Sequence, residues 1–367
     1  MRILIQLSHP AHFHLYRNVA RNLMNDGHQV FILIKTKDIL EDLLKQSGLP
    51  YSNILQQAHR KSKIGIFLDM LIRDRRMFHF VRKNKIDLLT GSTVEVTQVG
   101  WLTGKHRINA TEDDMNVVPL FPKMTRPFMG TILSPRVCNN YSLEPFSVKY
   151  ESYHELAYLH PNHFAADKSV AEKYFEADSP FFILRFSSLN AYHDGGIKGI
   201  DTEIAQKLID ILKPHGRVYI TSERELEPQF EQYRIPIKTL DMHHVMAFST
   251  LYIGDSQTMA AEAGVLGVPF VRYNDFVGRI GYLNELENDY HLGFGIKASE
   301  QGSAEKMYEV VKEILDMPNR KEEWQRRRQK MLSEKIDYAQ FLTWFIENYP
   351  ESQKTMRENP DYQFRFK

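Results

Sequence analysis

A single glutamate, Glu262, stands in the stretch TLYIGDSQTMAAEAGVLGVPFVRYND (250–275) among alanines, glycine and small aliphatics. β-prone residues at 250–253, a break at Gly254-Asp255-Ser256, helix formers over 258–266 and a stop at Gly267-Val268-Pro269 make a strand, helix, strand unit. With Thr258 as N-cap, position N3 is Ala261, so Glu262 misses a capping box by one residue; Ser256 as cap fails as well. Two readings stay open, a glutamate facing solvent or a carboxylate held near a ligand. Ala260, Ala261, Ala263 and Gly264 carry almost no side chain, which leaves room for a bulky partner, and the unpaired N–H groups of a helix start attract an anion. A carboxylate one turn in repels phosphate but accepts hydrogen bonds from a sugar diol. Phosphate at the helix start with ribose beside Glu262 describes a nucleotide.

Four more stretches carry groups of chemical interest. SHPAHFH (8–14) supplies His9, His12 and His14, three imidazoles suited to general-base work near neutral pH. Metal binding is the rival there, but the loop holds no acidic partner, and any one histidine serves equally to cap or pack the next helix. RFSSLNAYHDGGIKGID (185–201) combines Gly195, Gly196 and Gly199 with Lys198 just before a helix, an anion cradle by composition. It lacks the spacing of a Walker loop or of GxGxxG, and a flexible polar turn is its plain alternative. His193 and Asp194 orient each other or a ligand, or face solvent. In TGSTVE (90–95), Ser92 and Thr93 read as caps with Glu95 in the first turn. The acidic run TEDD (111–114) reads as solvated, and no metal is assigned to it.

The elements that must hold these loops alternate along the chain. RILIQL, a helix over 13–25, QVFILI, DILEDLLKQSG, IDLLTG (86–91), a helix over 94–102 and HRINAT (106–111) form one series. FFILRF (181–186), a helix over 202–212, RVYITS (217–222), a helix around Val245 and the Glu262 unit form a second. Such alternation predicts parallel, doubly wound sheets, and 367 residues suit two domains. The stretch 121–178 is irregular and rich in Pro, Tyr and His, and is read as the hinge. Residues 322–349 read as helical and charged, with KIDYAQFLTWFI able to dock on a neighbour. Ligands of two Rossmann-like halves bind beyond the carboxyl ends of the strands.

Composition narrows the classes. A net charge of +1 argues against bulk nucleic-acid binding, and the single Cys138 allows no internal disulfide and suggests a reducing compartment. The N-terminal apolar run, broken by Gln6 and His9, is too short for a signal peptide, and no run reaches the length of a membrane span. A cytoplasmic location is expected. Residues 59–85 carry two apolar stripes, Ile64, Phe67, Leu68, Leu71, Phe78 and Val81 beside Ile66, Met70, Met77 and Phe80, amid an excess of Arg and Lys. One stripe is read as core; the second is a candidate for peripheral contact with the anionic inner face of a membrane or with another subunit, alongside plain burial between domains.

GDSQTMAAEAGVLGVP between two strands resembles the nucleotide-binding segment of the GT-B superfamily, in particular UDP-N-acetylglucosamine 2-epimerases and MurG-like glycosyltransferases. With SHPAHFH, YHELAYLHPNHF (153–164) and RFSSLNAYHDGGIKG in order, the chain is identified as a member of a GT-B-like domain-of-unknown-function family of archaea and bacteria. The resemblance implies an α/β GT-B fold: an N-terminal Rossmann-like acceptor domain (1–165) and a nucleotide-sugar domain (166–335) facing a cleft, with a C-terminal segment (336–367) crossing back. It implies that Ser256 and the backbone around Thr258 contact diphosphate, that Glu262 holds the ribose hydroxyls, and that Arg185 with Lys198 offsets leaving-group charge, with His193, Gly196 and Gln257 in the same nucleotide-sugar site. Gln257 stands where the epimerases have glycine. Gly91-Ser92-Thr93 replaces their Gly-Asp-Thr, and VVPLFPKMTRPF (117–128) has no counterpart of their acidic segment. The expectation is therefore a glycosyltransferase needing no metal or other cofactor, acting in surface polysaccharide or glycoconjugate synthesis. It takes a nucleotide-diphosphate sugar, UDP first, and a sugar or lipid-linked acceptor, with His12, His14 or Glu112 as base. A 2-epimerase-like enzyme and a non-catalytic nucleotide-sugar-binding protein are the alternatives.

Overall fold

Ile3, Leu4, Ile5 and Leu7 of β1 (Arg2–Leu7) are all buried, the near-continuous apolar run of a parallel strand covered on both faces. The computed structural model describes residues 1–35, 39–55, 63–175, 179–187 and 199–367. From β1 the chain continues through α1 (Pro10–Asn25), β2 (Gln29–Lys35), α2 (Leu40–Ser47), β3 (Tyr51–Leu55), α3 (Lys63–Lys83), β4 (Leu88–Gly91), α4 (Val94–Leu102), β5 (His106–Ala110), α5 (Leu120–Thr125), β6 (Thr131–Pro135) and β7 (Ser147–Tyr150). These strands form one parallel sheet in the order β3-β2-β1-β4-β5-β6-β7. The order reverses between β1 and β4, which opens a crevice beyond their carboxyl ends.

Two single-turn helices, α6 (Leu156–Leu159) and α7 (Lys168–Ala171), lead to β8 (Phe181–Phe186), α8 (Thr202–Leu212), β9 (Arg217–Ser222), α9 (Met242–Ala247), β10 (Leu251–Gly254), α10 (Gln257–Leu266), β11 (Phe270–Tyr273), α11 (Gly281–Asn288), β12 (Gly293–Ile296), α12 (Ser303–Asp316) and α13 (Arg320–Glu334). The second sheet is parallel in the order β12-β11-β10-β8-β9, and its reversal lies between β8 and β10. Asp201 caps α8 through Ile204 N, 2.9 Å away. α14 (Tyr338–Glu347), α15 (Glu351–Glu358) and a 3-10 helix over Pro360–Phe366 follow. Two compact units result, Met1–Tyr158 with Lys335–Lys367, and Leu159–Glu334.

Four expectations need correction. The stretch 121–178 is not a hinge throughout, because β6 and β7 extend the first sheet; at five and four residues they are too short to show a period. The helix read over 322–349 is two. Asp337 restarts the chain as α14 by accepting from Gln340 N at 3.1 Å, and α14 packs on α1, burying Phe341. The two stripes of α3 do not sort as read. Met77 and Val81, one from each, lie in the same core cluster, whereas Leu68 and Leu71 are exposed; the side chains of Ile64, Ile66 and Phe67 lie outside the described residues. A helix lying between sheet and neighbour buries a broad arc rather than a single seam. The capping account of TGSTVE holds in position only: Thr93 is the N-cap of α4 and Glu95 stands in its first turn, but the Thr93 side chain makes no capping bond. Thr93 donates its hydroxyl to Gln6 Oε1, and Glu95 is buried against Arg73 Nε at 2.5 Å. Among the described residues no helix is long and apolar enough to cross a membrane.

Candidate functional site

In the second unit the crevice lies beyond β8 and β10. Gly254 ends β10, and a Cβ there meets Tyr252 Oη at 2.6 Å and Arg185 O at 2.8 Å, so only glycine lets the two strands close up. The next residue latches the loops together. Asp255 Oδ1 accepts from Ser187 N at 2.6 Å and from Ser187 Oγ at 2.7 Å. Burial raises the Asp255 pKa, and the two Ser187 bonds oppose that rise. Asn274, just past β11, donates to Asp255 O at 2.9 Å and to Gln257 Oε1 at 2.7 Å, and its Oδ1 accepts from Phe276 N. The Gln257 side chain is thereby turned toward the β11 loop.

α10 starts at this crevice. Ser256 is its N-cap, with Oγ 3.5 Å from Met259 N, and Thr258 stands partly exposed in the first turn. Ala260, Ala261 and Ala263 are fully buried, and a Cβ on Gly264 meets the Phe270 ring at 2.8 Å. The small residues serve tight packing of α10 rather than the approach of a ligand. Glu262 is 4% exposed, which excludes the solvent-facing reading; its Oε1 accepts from His243 Nε2, on α9, at 2.9 Å. Phe164 lies edge-on to the His243 ring. Tyr252 is fully buried near Arg185 and Glu262, and burial pushes its phenol far above the usual range with Arg185 opposing, so the group stays neutral. Arg185 itself is ion-paired with Glu223, and its buried Nε has no partner among the described residues. His193, Gly196 and Lys198 lie outside the described residues.

In the first unit the crevice lies beyond β1 and β4. His9 is the N-cap of α1, its Nδ1 accepting from Ala11 N at 3.2 Å, with Pro10 at the first helical position. His12 faces back on the loop: Ser8 N donates to its Nδ1 at 3.3 Å, so the neutral ring carries its proton on Nε2. His14 is 7% exposed, packed against Phe13 and Tyr158. Of the three, only His12, in the first turn of α1, combines partial exposure with a ring set by the β1 loop.

Glu112, past β5, reaches the segment past β7. Its Oε2 accepts from His154 N at 3.1 Å and lies 3.5 Å from His154 Nδ1. The His154 ring stacks on Tyr338 with centroids 5.5 Å apart, and burial drives its pKa down from 6.5 to about 3, so it is neutral at physiological pH, with a buried Nε2 that has no partner among the described residues. TEDD is not solvated throughout, since Thr111, Glu112 and Asp113 are half-buried and Asp114 lies inside. Asp114 is buried and accepts from Asn139 N at 2.9 Å, tying down the turn after β6. Among the described residues no three His, Cys, Asp or Glu side chains cluster as metal ligands.

Sequence reasoning passed over His154, His243, Asp255 and Asn274. His154 lay inside YHELAYLHPNHF and Asp255 inside GDSQT, both quoted as motifs; His243 and Asn274 had no local signal, since their partners come from other elements.

The chain resembles several solved structures along nearly its whole length. A UDP-GlcNAc 2-epimerase from Neisseria meningitidis bound to UDP-GlcNAc matches with a TM-score of 0.65 and 13% identity, over 94% of this chain and 99% of that one. Spinosyn rhamnosyltransferase SpnG complexed with thymidine diphosphate matches at 0.63 and 12%, over 95% and 100%. A putative UDP-N-acetylglucosamine 2-epimerase from Listeria monocytogenes matches at 0.63 and 12%, over 96% of each. At such identities the likeness is one of fold, and the fold is GT-B. No curated protein sequence matches the chain. Residues 1–279 match the family described as a protein of unknown function, DUF354, and the chain belongs to that family.

Proposed function

We propose that the protein is a glycosyltransferase that uses a nucleoside-diphosphate sugar, UDP-linked first, and needs no metal ion. The observation that carries the reading is the buried Glu262, oriented by His243 one turn into α10, whose N-terminus opens on the β8/β10 crevice. The α10 N-terminus with Ser256 and Thr258 takes the diphosphate, Glu262 takes the ribose hydroxyls, and Arg185 and Lys198 balance the charge of the leaving group. Glu223 beside Arg185 moderates that arginine, which gives Lys198 the larger part. The β1 loop of the first unit receives the acceptor hydroxyl. His12 serves as base once its Ser8 contact is exchanged, and Glu112 acts with His154 beside it. The acceptor is a sugar or a lipid-linked sugar of a surface polysaccharide or glycoconjugate, with peripheral membrane contact through 59–85, where Leu68 and Leu71 are exposed.

A thermal-shift panel of UDP-, GDP-, CMP- and dTDP-sugars tests the donor, since a ligand at about 100 times its Kd adds roughly 2.7 kcal/mol of stability. Radiolabelled donor then tests the reaction, with and without EDTA. Loss of turnover on chelation, restored by magnesium or manganese, refutes the metal-free mechanism. The 2-epimerase reading has one observation in its favour, the Glu112 carboxylate held beyond β5, and appearance of the 2-epimer with no acceptor present selects it.

A further inference from the structure

The helices α3, α4 and α5 of the first unit lie side by side, and their outward surfaces are one-sided in charge. Leu68, Leu71, Arg75, His79 and Arg82 are exposed at the three- and four-residue spacing of a single α3 face. α4 ends with Trp101 and Leu102 at 50% and 56% exposure, and α5 begins with exposed Leu120 followed by exposed Lys123 and Arg126. The acids of the same helices point inward. Asp69 and Glu95 are buried, Glu95 is paired with Arg73, and Asp74 keeps one oxygen buried. What solvent meets there is large apolar side chains ringed by cations, although the whole chain carries a net charge of only +1.

Beside α5 opens a groove of about 690 Å³, lined on its apolar walls by Met115, Pro119, Pro122 and Phe146 and carrying Lys123 and Arg126 with no acidic side chain. Arg126 Nε donates to Ser142 O at 3.2 Å, which fixes the guanidinium at the rim. Among the described residues neither Lys123 nor Arg126 is paired with an acid, the Arg126 bond being to a backbone carbonyl. Trp101 packs on Phe128 with ring centroids 5.1 Å apart, and Phe128 adjoins the groove residue Pro127. An apolar trough with two unpaired cations at its rim is complementary to a phosphodiester bearing hydrocarbon, and an exposed tryptophan beside it suits the interfacial layer of a bilayer.

We propose that the α3–α4–α5 face rests on an anionic bilayer and that the groove seats a phospholipid phosphate between Lys123 and Arg126, with Trp101, Leu102 and Leu120 entering the interface. The assignment rests on the peripheral-contact part of the reading above, moves the seat from residues 59–85 to the groove, and is independent of the donor chemistry.

The test uses the full chain and vesicles alone, without nucleotide sugar, so that its outcome and that of the donor screen are read separately. Co-sedimentation at low salt is expected with phosphatidylglycerol vesicles and not with phosphatidylcholine, weakening as salt rises. Lys123→Glu with Arg126→Glu is expected to weaken it roughly thirtyfold or more, whereas Lys312→Glu, at an exposed position of α12, leaves it unchanged. Trp101 is the one half-exposed tryptophan of three, Trp324 being buried and Trp344 partly so; brominated lipid is expected to quench it, and the quenching to vanish in Trp101→Phe. Circular dichroism of each variant checks folding. Equal binding to both lipids, or unquenched Trp101, overturns the membrane face. Full binding by the folded Lys123→Glu, Arg126→Glu variant overturns the groove.

Discussion

Glu262 Oε1 accepts a hydrogen bond from His243 Nε2 at 2.9 Å, and both side chains are buried. The bond ties α9 to α10 in the interior, where a polar group that loses a partner pays its desolvation cost. Removing either is expected to destabilise the fold, and a double-mutant cycle of His243→Ala and Glu262→Ala in urea is expected to return a coupling of about 0.5–3 kcal/mol. Under the donor reading, Glu262→Ala also weakens nucleotide binding by roughly 1.5–3 kcal/mol. Calorimetry showing unchanged affinity in the folded variant removes Glu262 from the ribose.

Gly254 supplies a second test, independent of function. Its missing Cβ accommodates the Arg185 carbonyl and the Tyr252 hydroxyl, so Gly254→Ala is expected to cost about 1–3 kcal/mol by overpacking. A thermal melt unchanged from the parent contradicts this packing.

Asp74 titrates unusually. Burial, with Glu95 adding and Arg73 opposing, raises its pKa to about 7 from the usual 3.8. The folded state thus holds this proton more tightly than the unfolded chain. The associated stability is complete below the unfolded pKa and is lost as pH rises through about 7. Asp74→Asn is expected to raise the urea midpoint at about pH 8 and leave it nearly unchanged at about pH 4. A variant that tracks the parent at both pH values refutes this.

His154 acts with the opposite sign. Its folded pKa of about 3 lies below the ordinary 6.5, so its contribution is present above 6.5 and is lost as pH falls toward 3. Its imidazole resonances are expected to stay those of the neutral ring down to about pH 4 in the folded protein. A midpoint near 6.5 in an NMR titration contradicts the burial account.

Under the transfer reading, His12→Ala lowers turnover by about 10²–10⁴ while donor affinity stays nearly constant, and Lys198→Ala depresses turnover more than affinity. Initial rates and calorimetry on the donor identified by screening decide both. A fall in His12→Ala donor affinity as large as its fall in turnover removes this residue from the chemical step.

Much of the architecture is legible in the sequence, because alternation of β-prone runs and helical periods is a local property. Residues 181–186, 202–212 and 217–222 are read to the residue, and the oddity of Glu262 and the loops after β1, β8 and β10 are visible as patterns. What only the tertiary structure decided is pairing. Glu262 meets His243 at a separation of 19 residues, Glu112 meets His154 at 42, and Ser187 meets Asp255 at 68. Those contacts exist because β10 lies beside β8 and because the loops past β5 and β7 converge, and strand order is not written in the period of any single segment. The same cause hid the burial of Asp114 and Glu95. A carboxylate in a polar run reads as solvated until folding brings a partner, the Asn139 backbone N–H for one and Arg73 for the other, that offsets the cost of taking it out of water.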